Sequence, residues 1–97
     1  MTTTTATTSQ IRALLTAAGQ AGDMQQVSLC EAAADHGDEL ADYARRTAAD
    51  TGDDTRAAVR AMRAELGEVA RDVGCPVAVV SAWIACWEAL SDAEAAS

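Results

Sequence analysis

From about residue 9 to about residue 90, apolar side chains recur at helical spacing, and glycines and acidic residues divide them into segments. Ser9 is a candidate N-cap for a stripe of Ile11, Leu14, Leu15 and Ala18, which Gly19 and Gly22 end. Asp23 is placed to cap a second helix, with Gln26 completing a capping-box pattern and Met24, Val27 and Cys30 on the apolar face. Gly37-Asp38 makes the next break. A third helix turns Leu40, Tyr43, Ala44 and Thr47 inward and ends near Gly52. Asp53 or Asp54 caps a fourth, whose periodicity is the cleanest in the chain. Val59, Met62, Leu66, Val69 and Val73 follow steps of 3, 4, 3 and 4, a heptad-like seam. Gly67 lies within it and is either tolerated in one long helix or divides two. Gly74-Cys75-Pro76 leads into a last helix over about 76–90, since proline fits a first helical turn, where its missing N–H is not needed.

This pattern predicts an all-α fold, five to six short helices in a compact bundle. Composition agrees. The chain is 49% hydrophobic, yet Ala supplies half of that and there is no Phe. A core of Ala, Leu and Val is built most readily from helices, because Ala loses no side-chain entropy there. Ninety-seven residues make a single domain. Its expected limits are 9–90, with an acidic hairpin and third helix over 9–52 and a second half over 53–90. Residues 1–8 read as a disordered Thr-rich tail and residues 91–97 as an acidic tail. The N-terminus has no apolar run of the signal-peptide kind, and the stretch from Gly74 to Trp87 is too short to span a bilayer. A cytoplasmic protein is expected.

Residues 69–84, Val-Ala-Arg-Asp-Val-Gly-Cys-Pro-Val-Ala-Val-Val-Ser-Ala-Trp-Ile, resemble the DNA-binding helix-turn-helix. Ala70 is the small residue facing the second helix, Gly74 is the turn glycine, and Val80, Trp83 and Ile84 are the apolar positions. The resemblance implies a transcriptional regulator whose second helix enters the major groove. Base reading there requires Arg, Lys, Asn or Gln. The matching positions are instead Pro76, Val77, Ala78, Ser81, Ala82 and Ala85, of which only Ser81 can hydrogen-bond to a base. Val80, Trp83, Ile84 and Trp87 share one arc of the helix. Ala78, Ser81, Ala82, Ala85 and Ala89 form a small-residue strip opposite, suited to close helix packing or a homodimer.

Net charge is −8, with seven Arg and no Lys. The imbalance repels nucleic acid at long range and favours basic partners. It is concentrated early: residues 1–54 carry nine acids and three Arg, whereas residues 55–97 carry six acids and four Arg. Glu31, Asp35, Asp38, Glu39 and Asp42 cluster around Gly37. They are either a solvated surface or an acidic partner face that imitates the phosphates of nucleic acid. Arg56, Arg60, Arg63 and Arg71 form a basic stripe along one flank of the seam, either solvated and ion-paired or able to grip phosphate or an acidic protein.

Catalytic chemistry is not indicated. No nucleophile elbow or phosphate-binding glycine loop is present, and the single His36, next to Asp35, reads as an exposed turn residue. Cys30, Cys75 and Cys86 have no zinc spacing and read as reduced, buried thiols. No enzyme activity, cofactor or metal is expected. Residues 10–49 loosely resemble a helical hairpin of uncharacterised small phage and mobile-element proteins, through Ile11-Arg12-Ala13-Leu14-Leu15, Ala21-Gly22-Asp23 and Gln26-Val27-Ser28-Leu29-Cys30. Ala18 to Leu29 also looks like one ankyrin unit, but no second copy follows. The leading expectation is a small acidic phage-type protein that binds a protein partner, in its most concrete form an inhibitor of a host nucleic-acid-handling complex of the anti-CRISPR or DNA-mimic kind. A helix-turn-helix regulator and a homodimeric structural protein are the alternatives.

Overall fold

In the computed structural model, which describes residues 5–96, six helices follow one another through turns of one to three residues. They are α1 (Thr8–Ala21), α2 (Met24–Ala34), α3 (Gly37–Thr51), α4 (Thr55–Ala64), α5 (Leu66–Val73) and α6 (Val77–Ala96). No strand occurs among the described residues, and the molecule is an all-α bundle.

The last helix is the centre of this bundle. α6 packs most extensively on α2 and next on α5, with further contacts to α1, α3 and α4. It buries Val80, Ala82, Trp83, Ile84, Cys86 and Trp87. Neighbours on several sides explain why its apolar surface is wider than the single arc read from the sequence. Ala82, placed above on the small-residue strip suited to helix packing, is only 4% exposed. Ala78 and Ser81 are exposed, while Ala85 and Ala89 are half-buried. The helix also runs past Leu90, and Ser91, expected in a tail, is buried.

Asp23 and Asp54 cap α2 and α4 as their positions imply, accepting from the N–H groups of Gln26 and Ala57 at 3.1 and 2.8 Å. The reciprocal half of the expected box at Asp23 is replaced by a contact into the core, in which Gln26 Nε2 donates to Cys30 Sγ at 3.7 Å. α1 starts earlier than Ser9. Thr7 is its N-cap and forms a capping box with Gln10. The expected disordered tail is therefore wrong for residues 6–8, and residues 1–4 lie outside the described residues. Ala6 is fully buried, and its carbonyl accepts a hydrogen bond from Trp83 Nε1 at 2.9 Å. A buried indole N–H needs such a partner, and this one ties the residue before the α1 cap to the middle of α6.

The N-termini of α1 and α3 meet and satisfy each other. Asp38 Oδ1 accepts from the Thr8 N–H at 3.0 Å, and the Asp38 N–H donates to Thr8 Oγ1 at 3.1 Å. The same Thr8 hydroxyl donates to the Ala34 carbonyl, at the end of α2, at 2.8 Å. Three helix ends thus share one hydroxyl and one carboxylate, covering groups that helix termini leave unpaired. Such an approach leaves no space at Gly37, where a Cβ would stand 2.7 Å from the Thr8 nitrogen.

The heptad-like seam is broken, but not at Gly67. Glu65, at φ −132° and ψ 49°, ends α4 and precedes α5, and Gly67 lies inside α5. Val59, Met62 and Val69 of the seam are buried, while Leu66 and Val73 are half-buried. Gly74 closes α5 at φ 85°, a left-handed conformation that favours glycine. After Gly74, Cys75 and Pro76 the chain turns by 105° into α6.

Candidate functional site

Three surfaces hold the residues singled out in the sequence. At the start of α6, Pro76, Val77, Ala78 and Ser81 are exposed, and Val77 at 46% is one of two large apolar side chains left open among the described residues. Two helices meeting at 105° across a three-residue turn match the angle of about 90–120° at which helix-turn-helix pairs are built. The side chains on this face are nevertheless hydrocarbon apart from the Ser81 hydroxyl. Beside them lies a cleft of about 310 Å³ lined by Arg63, Leu66, Ser81, Ile84 and Ala85.

The five acids around Gly37 do not act as one set. Asp38 is occupied by the α1 N-terminus. Asp42 pairs with Arg45 and Arg46, the latter at 3.0 Å, and the Arg45 guanidinium chiefly holds the Asp42 carboxyl below its usual range. Asp38 and Asp42 share a second cleft with Thr5, Thr7 and Arg45. Glu31, Asp35 and Glu39 remain exposed.

A different acidic grouping emerges from the tertiary structure. Tyr43 on α3 donates its hydroxyl to Asp72 Oδ2 on α5 at 3.3 Å. Burial, followed by the charges of Asp72, Glu68 and Glu65, raises the Tyr43 pKa. Glu39 lies near enough to Cys75 for its charge to add to the effect of burial in raising that thiol. Glu39 of α3 and Asp72 of α5 therefore lie beside the turn that leads into α6, while Glu68 and Glu65 act on Tyr43. Nothing in the local sequence links Glu65, Glu68 and Asp72 to α3. Tyr43, the only tyrosine, was the available signal, read above as an inward-facing residue.

The basic stripe is also redistributed. Arg56, Arg60 and Arg63 of α4 line a cleft of about 180 Å³ together with Val59, Trp87 and Glu88. The Arg56 guanidinium lies 5.5 Å from the centre of the Trp87 ring and donates to Ser91 Oγ at 3.1 Å. Arg63 pairs with Glu88. Arg71, on α5 beyond the Glu65 break, does not line this cleft.

His36 is not the exposed turn residue expected. It is half-buried at the N-cap of α3, and its Nδ1 is buried without a partner among the described residues. Cys30 and Cys86 are fully buried with sulfurs 3.8 Å apart, and burial beside Cys30 pushes the Cys86 thiol up to about 12. Such thiols are poor nucleophiles. No cluster of His, Cys, Asp or Glu suited to a metal ion occurs among the described residues. No single helix among them is long and apolar enough to cross a membrane. No protein-family model, curated protein or solved structure matches the chain.

Proposed function

We propose that the chain is a non-enzymatic binding module that docks on a basic protein partner through the start of α6 and the acids beside it. The observation that carries this reading is the adjacency of an exposed hydrocarbon face, Pro76, Val77 and Ala78, to acids from two helices, Glu39 of α3 and Asp72 of α5. An apolar centre beside charge is the usual anatomy of a protein interface, and anionic charge speeds encounter with a cationic partner. Base edges, by contrast, require hydrogen-bonding side chains that this face lacks.

In its most specific form, the module is a phage-type cytoplasmic inhibitor that occupies the basic groove of a nucleic-acid-handling complex in a bacterial host, as anti-CRISPR and DNA-mimic proteins do. That form draws on the small size, the charge of −8 and the loose hairpin resemblance. Capture experiments from host lysate test it. The wild-type chain should retain such a complex, and Val77→Asp and Asp72→Lys should each release it while leaving the circular dichroism spectrum unchanged. Capture unaffected by both changes refutes the docking face.

The 105° turn favours a second reading, a helix-turn-helix regulator. A gel shift on random duplex at low salt separates the two. Sequence-selective retention abolished by Arg60→Glu would reject the inhibitor reading.

A further inference from the structure

We infer that the cleft between α4 and α6 is an oxyanion site built for the dianion of a phosphate monoester. Arg56, Arg60 and Arg63 recur at steps of 4 and 3 on α4, which brings their guanidinium groups to one face. That face opens on the cleft of about 180 Å³ walled by Trp87 and Glu88. Space of this size admits a phosphate group. This reading is independent of the docking face on α5 and the start of α6.

Two of the three cations are positioned before any ligand arrives. Arg56 is held over the Trp87 ring and by the Ser91 hydroxyl, and Ser91 is itself buried. Arg63 is held by Glu88. Each uses part of its donor fork in these contacts, and a guanidinium carries five N–H donors, so both keep donors for a ligand. Arg60 has no hydrogen bond or ion pair among the described residues, although it lines the same space. Three guanidiniums and one carboxylate leave a local charge of +2, on a chain whose net charge is −8. A monoester dianion, carrying about −1.5 to −2 at pH 7, neutralises that excess, whereas a phosphodiester carries half as much. Guanidinium forks match phosphate geometry, and fixing them beforehand lowers the ordering cost of binding. Repulsion from the remote acids is weakened at physiological salt, where charges more than about 8 Å apart are largely screened.

The ester could belong to a free small molecule or to a phosphorylated side chain of a partner, and the same test distinguishes these sources. The full chain is titrated with inorganic phosphate at physiological salt, and the arginine Nε–Hε resonances are followed. We expect one saturable site that shifts Arg56, Arg60 and Arg63. Arg60→Ala should weaken it about tenfold, Glu88→Gln should tighten it, and Arg71→Ala should leave it unchanged. Arg60 is exposed, so its variant should fold with an unchanged melting temperature, which makes lost binding attributable to the site. Phosphoserine binding as tightly as a phosphoserine peptide identifies a free ester, and a tighter peptide identifies a partner-borne one. The inference is overturned by the absence of saturable shifts at millimolar phosphate, by equal losses in Arg60→Ala and Arg71→Ala, or by dimethyl phosphate binding as tightly as phosphate.

Discussion

The two sides of α6 show two uses of polar groups. Toward α1 and α2, they are consumed by the fold. Trp83 reaches the Ala6 carbonyl, Cys86 lies against Cys30, and near the start of α1, Thr8 and Asp38 complete three helix ends around Gly37. Toward α4, α6 makes few contacts, and the intervening space is walled by arginines that are only partly engaged. The difference teaches where to look for function in a chain without catalytic motifs. A polar group whose partners are all internal explains stability, whereas one held in place with donors to spare is available to a ligand.

The contrast can be broken from either side. The largest effect is expected from alkali. The folded-state pKa of Cys86 is raised from 9.0 to about 12, so its contribution is complete below pH 9 and disappears as the pH climbs toward 12. Denaturant titrations across that range should lose on the order of 4 kcal/mol. Cys86→Ala, less stable at neutral pH, should show a flatter decline. Next is Gly37→Ala, which forces a methyl group into the Thr8 backbone and should cost about 3 kcal/mol, read as a fall in melting temperature of roughly 12–24 °C. Trp83→Phe removes the buried indole N–H that meets the Ala6 carbonyl and should cost about 2 kcal/mol by chemical denaturation. Asp38→Asn keeps the shape at the α1 N-terminus but removes the negative charge, with a loss of about 1 kcal/mol that shrinks at high salt. Arg60→Ala, on the other side, should change stability by no more than about 0.5 kcal/mol. A large loss there would mean that the cleft is structural and the contrast false.

Local rules read the helices well. Asp23 and Asp54 cap where their side chains can reach free N–H groups, and Gly22, Gly52 and Gly74 end helices in left-handed conformations. What local rules missed depended on distant partners. The indole of Trp83 draws Ala6 into the core, so residues 6–8 are structured where composition implied a tail. The strip that holds Ala82 could pack internally or against a second copy, and neighbours of α6 on several sides bury Ala82 within the fold. The break at Glu65 has no glycine or proline at its own position to announce it, and the apolar spacing of the sequence continues across it. Of the candidate sites, the three α4 arginines were legible because their spacing lies within one helix. Arg71 would join them only in one continuous helix, and the break at Glu65 separates it. The meeting of Tyr43 with Asp72 spans 29 residues and two helices, beyond the reach of periodicity.

Because the helix at the centre is also the most C-terminal of the six, the order of synthesis opposes the order of assembly. A ribosome emits α1 to α5 before the scaffold they enclose exists, and the Ala6–Trp83 bond must close a separation of 77 residues. Nascent chains stalled before Trp83 should therefore remain protease-sensitive, and protection should arrive late and abruptly rather than helix by helix.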